Sequence, residues 1–258
     1  MNLSKNVLER LISRYDYGGV YEALEEYGLV ETDLAILANS TRYAVNFDFK
    51  TSDRILFDLS EALEENYLVK DLKNNLQNLI DGQPDELFSE LLDSIRFQIK
   101  NEEYIDFLGR VYRFREAIFK YIFVRKSINR KSFSLHNRAM EKRSILRILR
   151  KKYHINNGSL VYAIVDYIKK HCKDEYKVNE VSKILTNDKL NNLVELRNSS
   201  IVGHGFIGAS IDDIYSVYGN PENVIDDFVN CLDQLGFVTS NDKYRKLNHL
   251  MCELLKEL

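Results

Sequence analysis

Residues 103–126 read EYIDFLGRVYRFREAIFKYIFVRK, a long segment that is rich in aromatic and aliphatic side chains. Its large apolar residues recur at alternating spacings of four and three, at Phe107, Val111, Phe114, Ile118 and Tyr121. These spacings place the side chains on one face of an α-helix. A wide apolar face of this kind is typical of a helix buried in a core. The segment therefore predicts a long and largely buried helix.

Helical periodicity continues on both sides of this segment. Leu56, Leu59 and Leu63 mark an earlier helix, and residues 188–202 form a later one. Only 2 prolines and 11 glycines interrupt the 258 residues, which favours long helices over many turns. The chain contains neither G-x-G-x-x-G nor G-x-x-x-x-G-K-[ST], so a nucleotide-binding parallel sheet is not expected. The sequence predicts an all-α fold.

Charge is segregated along the chain. The segment from Arg110 to Lys152 holds 15 Lys and Arg residues against two acids, a net charge of +13, whereas the other 21 basic and 37 acidic residues give −16. Such segregation indicates a polyanionic partner on one face, although a solvated helical surface is the alternative. Within this basic segment, we expect Arg147 and Arg150 to bind the substrate.

Two features suggest where the chain divides. The sequence Asp-Gly-Gln-Pro at 81–84 is the clearest break between helical segments, and Pro84 suits the first turn of a new helix. Acidic helices give way to basic ones near residue 100. A chain of this length accommodates one large domain or two smaller ones. We place the boundary at the change of charge, which gives domains 1–100 and 101–258.

Residues 195–206 read ELRNSSIVGHGF and carry the residues best suited to chemistry. On a helix, the seven positions from Arg197 to His204 correspond to about 700° of rotation, so both side chains would lie on one face about 10.5 Å apart along the axis. That separation is too wide for one compact site in a single chain. A two-fold dimer would bring two copies together, and the glycines at 203, 205 and 208 would allow close backbone approach there.

These side chains suit the cleavage of RNA. A histidine can take a proton from a ribose 2′-hydroxyl or deliver one to a leaving 5′-oxygen. A guanidinium such as that of Arg197 can hold the scissile phosphate through two hydrogen bonds, and Asn198 can orient either partner. The alternative is structural: Arg197 in a salt bridge and His204 at a helix end.

The arrangement R-N-x-x-x-x-x-H-G at 197–205 resembles the R-x4–6-H signature of HEPN-domain ribonucleases. The subtype is similar to the ancillary ribonucleases of type III CRISPR systems, which cyclic oligoadenylate activates. RYDYGG at 14–19 resembles the opening of the helical linker domain of that family, and DFLGR at 106–110, through Glu116, resembles the start of its HEPN domain. The resemblance covers essentially the whole chain.

This resemblance implies a helical linker domain over 1–100 followed by a HEPN helical bundle over 101–258. Arg197, Asn198 and His204 would form a composite active site across a homodimer joined through the HEPN domain. That site would cleave single-stranded RNA without metal in antiviral defence, leaving a 2′,3′-cyclic phosphate. The Rossmann-like sensor domain of the family has no counterpart in the sequence, so cyclic oligoadenylate is expected as an activator only if a sensor domain lies upstream.

Two other functions remain open. The chain could be a non-catalytic helical module that binds nucleic acid or acts as a scaffold, with the basic helices on phosphates and His204 structural. It could also be a HEPN toxin of a toxin–antitoxin pair. Such toxins tend to have tyrosine two residues after the histidine, whereas position 206 is phenylalanine.

Neither a metal nor another cofactor is expected. Cys172, Cys231 and Cys252 form no C-x-x-C pair, and the histidines form no pair at metal-ligand spacing. The apolar runs fall far short of the roughly 18 residues that a membrane span needs, and the N-terminal segment lacks the apolar core of a signal peptide. The absence of a disulfide framework favours the reducing cytoplasm.

Overall fold

The structure is a computed structural model that describes residues 4–128, 133–239 and 242–258. Within these ranges there are fifteen α-helices, two short 3-10 helices (Leu56–Asp58 and Arg138–Met140) and no β-strand, which confirms the all-α prediction. The α-helices are α1 (Lys5–Ser13), α2 (Tyr17–Glu26), α3 (Asp33–Ala44), α4 (Phe49–Ile55), α5 (Glu61–Glu64), α6 (Tyr67–Ile80), α7 (Pro84–Asn101), α8 (Tyr104–Ile128), α9 (Lys142–Tyr153), α10 (Leu160–His171), α11 (Tyr176–Leu185), α12 (Asp188–Ser199), α13 (Ile211–Val217), α14 (Glu222–Leu235) and α15 (Lys243–Glu257). None of the described helices has both the length and the apolar composition that crossing a membrane requires.

The chain divides into two compact units. The first comprises residues 1–82 and 240–258 and contains α1–α6 and α15, whereas the second comprises residues 83–239 and contains α7–α14. We predicted a boundary near residue 100 and a second domain that runs to residue 258. The observed division instead falls at the Asp-Gly-Gln-Pro break, and it returns the C-terminal helix to the first unit.

Hydrogen bonds explain why α15 belongs to the first unit. The Tyr17 hydroxyl donates to Oδ1 of Asn248 at 2.7 Å, and Nδ2 of Asn248 donates to the Ile12 carbonyl at 2.9 Å. The Tyr17 and Tyr244 rings are also in contact, with centroids 6.2 Å apart. One asparagine on α15 therefore satisfies polar groups on α1 and α2, and this link spans more than 230 residues of sequence.

Packing, rather than charge, determines the boundary. Although α7 lies in the acidic part of the sequence, it buries Phe88, Leu92 and Ile95 in the core of the second unit. Gly82 adopts a positive φ of 74° just before α7 begins at Pro84. The change of charge near residue 100 is a property of the helix surfaces and does not mark where the core changes.

Helix α8 forms the centre of the second unit, where it packs against α7, α9, α10, α11 and α12. The predicted apolar face is confirmed, since Phe107, Val111, Phe114, Ile118 and Tyr121 are each at most 5% exposed. The Phe114 ring stacks on Phe228 of α14, with centroids 4.2 Å apart and planes 15° apart. The long aromatic segment that the sequence singles out is therefore core.

Replacing Phe114 with alanine should lower the free energy of unfolding by about 3–5 kcal/mol, because a buried aromatic side chain is lost and a cavity remains. Urea unfolding followed by circular dichroism measures this change. Tyr176→Ala is the matched control, since its ring is 72% exposed in the same unit, and it should change stability by less than about 0.5 kcal/mol. Equal losses in the two variants would contradict the burial of α8.

Candidate active site

Helix α12 positions the candidate catalytic residues. The helix begins after Asn187, whose side-chain oxygen accepts a hydrogen bond from the Leu190 backbone N–H at 2.7 Å. Leu190 and Leu193 are buried and fix the face that α12 turns toward the core. The helix ends at Ser199 because Ser200 is extended, with φ −90° and ψ 172°. Arg197 and Asn198 therefore lie in its last turn.

His204 is not on this helix, so its predicted helical placement is wrong. Beyond Ser199 the chain folds back on the end of α12. The His204 backbone N–H donates to the Asn198 carbonyl at 3.0 Å, and that of Ile207 donates to the Ser199 carbonyl at 3.1 Å. The helical rise between Arg197 and His204 consequently does not apply. The His204 backbone lies against the end of α12, and the distance argument for a dimer loses its premise.

Two glycines make this fold-back possible. A Cβ atom at Gly203 would lie 2.3 Å from the Arg197 carbonyl oxygen, and one at Gly205 would lie 1.9 Å from the Ser199 carbonyl oxygen. Both distances are far below contact, so any side chain at these positions would displace the loop. Gly208 has no atom within 4 Å of its would-be Cβ. At Gly203 and Gly205 the close backbone approach is therefore to the end of α12 in the same chain, whereas Gly208 has no such contact.

Arg197 is held by neutral groups. Its Nη1 donates to Oδ1 of Asn198 at 3.3 Å, and its guanidinium carbon lies 4.5 Å from the centroid of the Tyr112 ring on α8. Its Nε is buried without a hydrogen-bond partner. Among the described residues no carboxylate lies within 4 Å of this guanidinium, so the salt-bridge interpretation has no partner there. The side chain of His204, seven residues later in the sequence, is exposed.

A second arginine without a carboxylate partner in the described ranges lies between α8 and α12, and the sequence did not predict its role. Arg115 of α8 is only 3% exposed, and its Nη2 donates to Oδ1 of Asn191 on α12 at 2.8 Å. The Tyr162 hydroxyl on α10 donates to the same oxygen at 3.3 Å. Burial lowers the pKa of Arg115, and a hydrogen bond to the Tyr162 hydroxyl opposes this shift. The sequence contains a signal for the burial of Arg115, because an arginine four residues after Val111 lies on the apolar face of the helix.

The two predicted substrate-binding residues lie on α9. Arg147 and Arg150 are exposed, whereas Ile145 and Leu149 of the same helix are fully buried. Within the described ranges, neither arginine has a carboxylate within 4 Å. Their separation of three residues places them on one face of the helix. This face of α9 presents positive charge that no carboxylate of the described residues neutralises.

The loop that carries His204 also exposes large apolar side chains. Ile201 and Ile207 are each 64% exposed and Phe206 is 96% exposed, while Tyr215 on the next helix is 52% exposed. Scattered exposed apolar residues are common, but several within one short loop indicate a contact surface. We call Ile201, Phe206 and Ile207 the apolar loop surface.

No group of three or more His, Cys, Asp or Glu side chains within the described ranges is arranged to hold a metal ion. Arg197 can supply hydrogen bonds and positive charge, and His204 can transfer a proton. Asp212 and Asp213 serve the next helix instead, since Asp213 forms a capping box with Ser210.

Gly205→Ala should destabilise the second unit by about 1–3 kcal/mol, the usual effect of forcing extra atoms into a packed site. The added methyl group would overlap the Ser199 carbonyl. Gly208→Ala is the control, since its Cβ would meet open space, and it should leave the melting temperature nearly unchanged. Indistinguishable melting temperatures for wild type and Gly205→Ala would show that the loop does not fold back as described.

Comparison with known proteins provides no independent assignment. No protein-family model matches the sequence, and no curated protein matches it significantly. The function of the chain has to be inferred from the chemistry of its own residues at the end of α12.

Proposed function

We propose that this chain is a metal-independent endoribonuclease of the HEPN type that cleaves single-stranded RNA. The observation that carries the proposal is the convergence of Arg197, Asn198 and His204 at the end of α12. Nη1 of Arg197 bonds to the Asn198 side chain, and the His204 backbone bonds to the Asn198 carbonyl. Arg197, whose guanidinium can bind a phosphate, and His204, whose exposed imidazole can carry a proton, therefore both hydrogen-bond to Asn198.

The proposed reaction uses the ribose as its own nucleophile. The 2′-oxygen attacks the adjacent phosphorus as its proton passes to a base, and the bond from phosphorus to the 5′-oxygen breaks as that oxygen receives a proton. The products are a 2′,3′-cyclic phosphate and a 5′-hydroxyl. Arg197 stabilises the charge on the phosphoryl oxygens, Asn198 holds the guanidinium in place, and His204 carries a proton.

The need for both a base and an acid supports a homodimer. Each chain contributes a single His204, and one imidazole cannot accept and donate a proton at opposite oxygens at the same moment. A second copy related by a two-fold axis supplies a second histidine. The apolar loop surface next to His204 offers the contact for such pairing, because large exposed apolar side chains favour burial against a partner.

The basic face of α9 supports an RNA substrate. Arg147 and Arg150 are exposed without a carboxylate partner in the described ranges, and unpaired cations of this kind bind phosphates with little regard to sequence. The same face would also suit a non-catalytic RNA-binding module, so cleavage itself must separate the two functions. A role in type III CRISPR defence and the toxin alternative both stay predictions from the sequence.

The first test is cleavage of an unstructured RNA in the presence of EDTA. Wild type should cut it and leave 2′,3′-cyclic phosphate ends, while an RNA with 2′-deoxyribose at the cut position should resist. His204→Ala should reduce the rate by at least about 100-fold and, because the side chain is exposed, should retain the melting temperature. Cleavage of the deoxy-substituted RNA, or full activity of a folded His204→Ala, would contradict the mechanism.

The dimer is tested by mixing wild-type chains with an excess of His204→Ala chains and letting the subunits exchange. If the cleft needs both histidines, mixed dimers should be nearly inactive and total activity should fall well below that expected from dilution. Activity proportional to the wild-type chains alone, or an active monomer in sedimentation, would argue for independent sites.

The RNA path is tested with Arg147→Ala and Arg150→Ala combined. Affinity should fall for RNAs of different sequence alike, and the dependence of log affinity on log salt should become shallower by about two, one for each phosphate contact. Lys50→Ala with Arg54→Ala is the matched control, since both are exposed cations on α4. Equal effects of the two double variants would leave α9 with no particular role.

A further inference from the structure

Arg115 is a buried cation that the chain does not neutralise. Its side chain lies on α8 with only 3% of the residue exposed, and no carboxylate in the described ranges comes within 4 Å of it. Within the part of the chain that the structure describes, its Nε has no hydrogen-bond partner. Burying an unpaired charge is costly, and proteins normally pair such groups or bind an ion there.

The next residue shows that acids are available to this helix. Glu116, which is 7% exposed, has Nζ of Lys120 at 2.6 Å and Nη1 of Arg113 at 3.5 Å. Two cations thus neutralise a buried acid one position away, whereas the buried arginine faces only neutral groups. This contrast indicates that the charge of Arg115 is directed toward something outside the chain.

Neutral side chains fix the orientation of Arg115 without cancelling its charge. Asn191 accepts from its Nη2 at 2.8 Å and is itself anchored, since its Nδ2 donates to the Thr186 carbonyl at 3.0 Å. The Tyr162 hydroxyl donates to the same Asn191 oxygen. Tyr162 is 45% exposed, so the residue that shares the Asn191 oxygen with the buried guanidinium is within reach of solvent.

Arg115 and the candidate catalytic arginine both lie where α8 contacts α12. Tyr112 precedes Arg115 by one helical turn, and its ring carries the Arg197 guanidinium at 4.5 Å. Arg115 in turn bonds to Asn191 on α12, the helix that also carries Arg197. A single-stranded RNA carries a phosphate at every nucleotide, so a strand with one phosphate on Arg197 brings a neighbouring phosphate to this region.

We propose that Arg115, with Tyr162, forms a second phosphate-binding subsite beside Arg197, which takes a non-scissile phosphate of the RNA backbone. This inference rests on the proposed function for the identity of the strand, but not for the binding of phosphate. A guanidinium held by Asn191 presents its remaining donors in the fork that suits two phosphate oxygens.

The first experiment measures phosphate binding without RNA and without cleavage. Melting temperatures of the full chain are compared in inorganic phosphate and in chloride at matched ionic strength, since a ligand that binds only the folded state raises the melting temperature. Wild type should show an increment in phosphate that Arg115→Met lacks. Lys189→Met is the control, because it removes an exposed cation from α12, the helix that carries Asn191, and it should keep the increment.

An undiminished phosphate increment in Arg115→Met overturns the proposal. Should that variant fail to fold, Tyr162→Phe provides the test, because it removes only a hydroxyl from a half-exposed ring; its increment must fall, and an unchanged increment overturns the proposal.

The second experiment identifies the RNA backbone as the source of the phosphate. In a His204→Ala background, Arg115→Met should weaken binding of a short single-stranded RNA by about tenfold and should make the salt dependence shallower by about one. Loss of the phosphate increment with unchanged RNA affinity and salt slope would overturn the RNA assignment and indicate a free phosphate ligand. Neither readout requires cleavage, so a failure here is distinct from a failure of the proposed catalysis.

Discussion

The burial of α8 is the constraint on which the second unit depends. Its apolar face places Phe114 against Phe228 in the core, and the same helix holds Tyr112 and Arg115 against α12. Because Phe114 lies between Tyr112 and Arg115 on one helix, the packing of Phe114 in the core also fixes the positions of those two polar side chains. Even the loop that carries His204 reaches this helix, since a Cβ at Gly109 would lie 4.0 Å from Val202.

Backbone geometry supplies the second constraint. The end of α12 leaves carbonyl groups without helical partners, and the loop after Ser199 satisfies those of Asn198 and Ser199 by folding back on them. Only residues without a Cβ fit at 203 and 205. The His204 backbone thus lies against the end of α12 because of a helix end and two glycines, and the regular helical spacing between Arg197 and His204 does not apply.

The sequence predicts some of these features and not others, for physical reasons. The buried face of α8 follows from periodicity because burial repeats at the helical period. The break at 81–84 predicts the boundary between the units better than the change of charge near residue 100, because surface charge does not report on packing. The pairing of Tyr17 with Asn248 joins opposite ends of the chain, and local patterns carry no record of such a contact. The predicted helix over 188–202 extends three residues beyond α12. The fold-back of the loop is not predicted, because glycines 203 and 205 suit the approach of another copy as well as a tight turn within the chain.

The distribution of unpaired charge around α8 and α9 connects stability to the proposed chemistry. Glu116 is neutralised twice, whereas Arg115 and Arg197 are held by an asparagine each, and Arg147 and Arg150 face solvent without a carboxylate in the described ranges. A chain selected for stability alone would pair or replace a buried guanidinium. Local violations of this kind concentrate at functional sites, where strain or desolvation is retained for binding. The buried guanidinium groups that have no carboxylate within the described ranges, those of Arg115 and Arg197, are therefore the most informative residues for function.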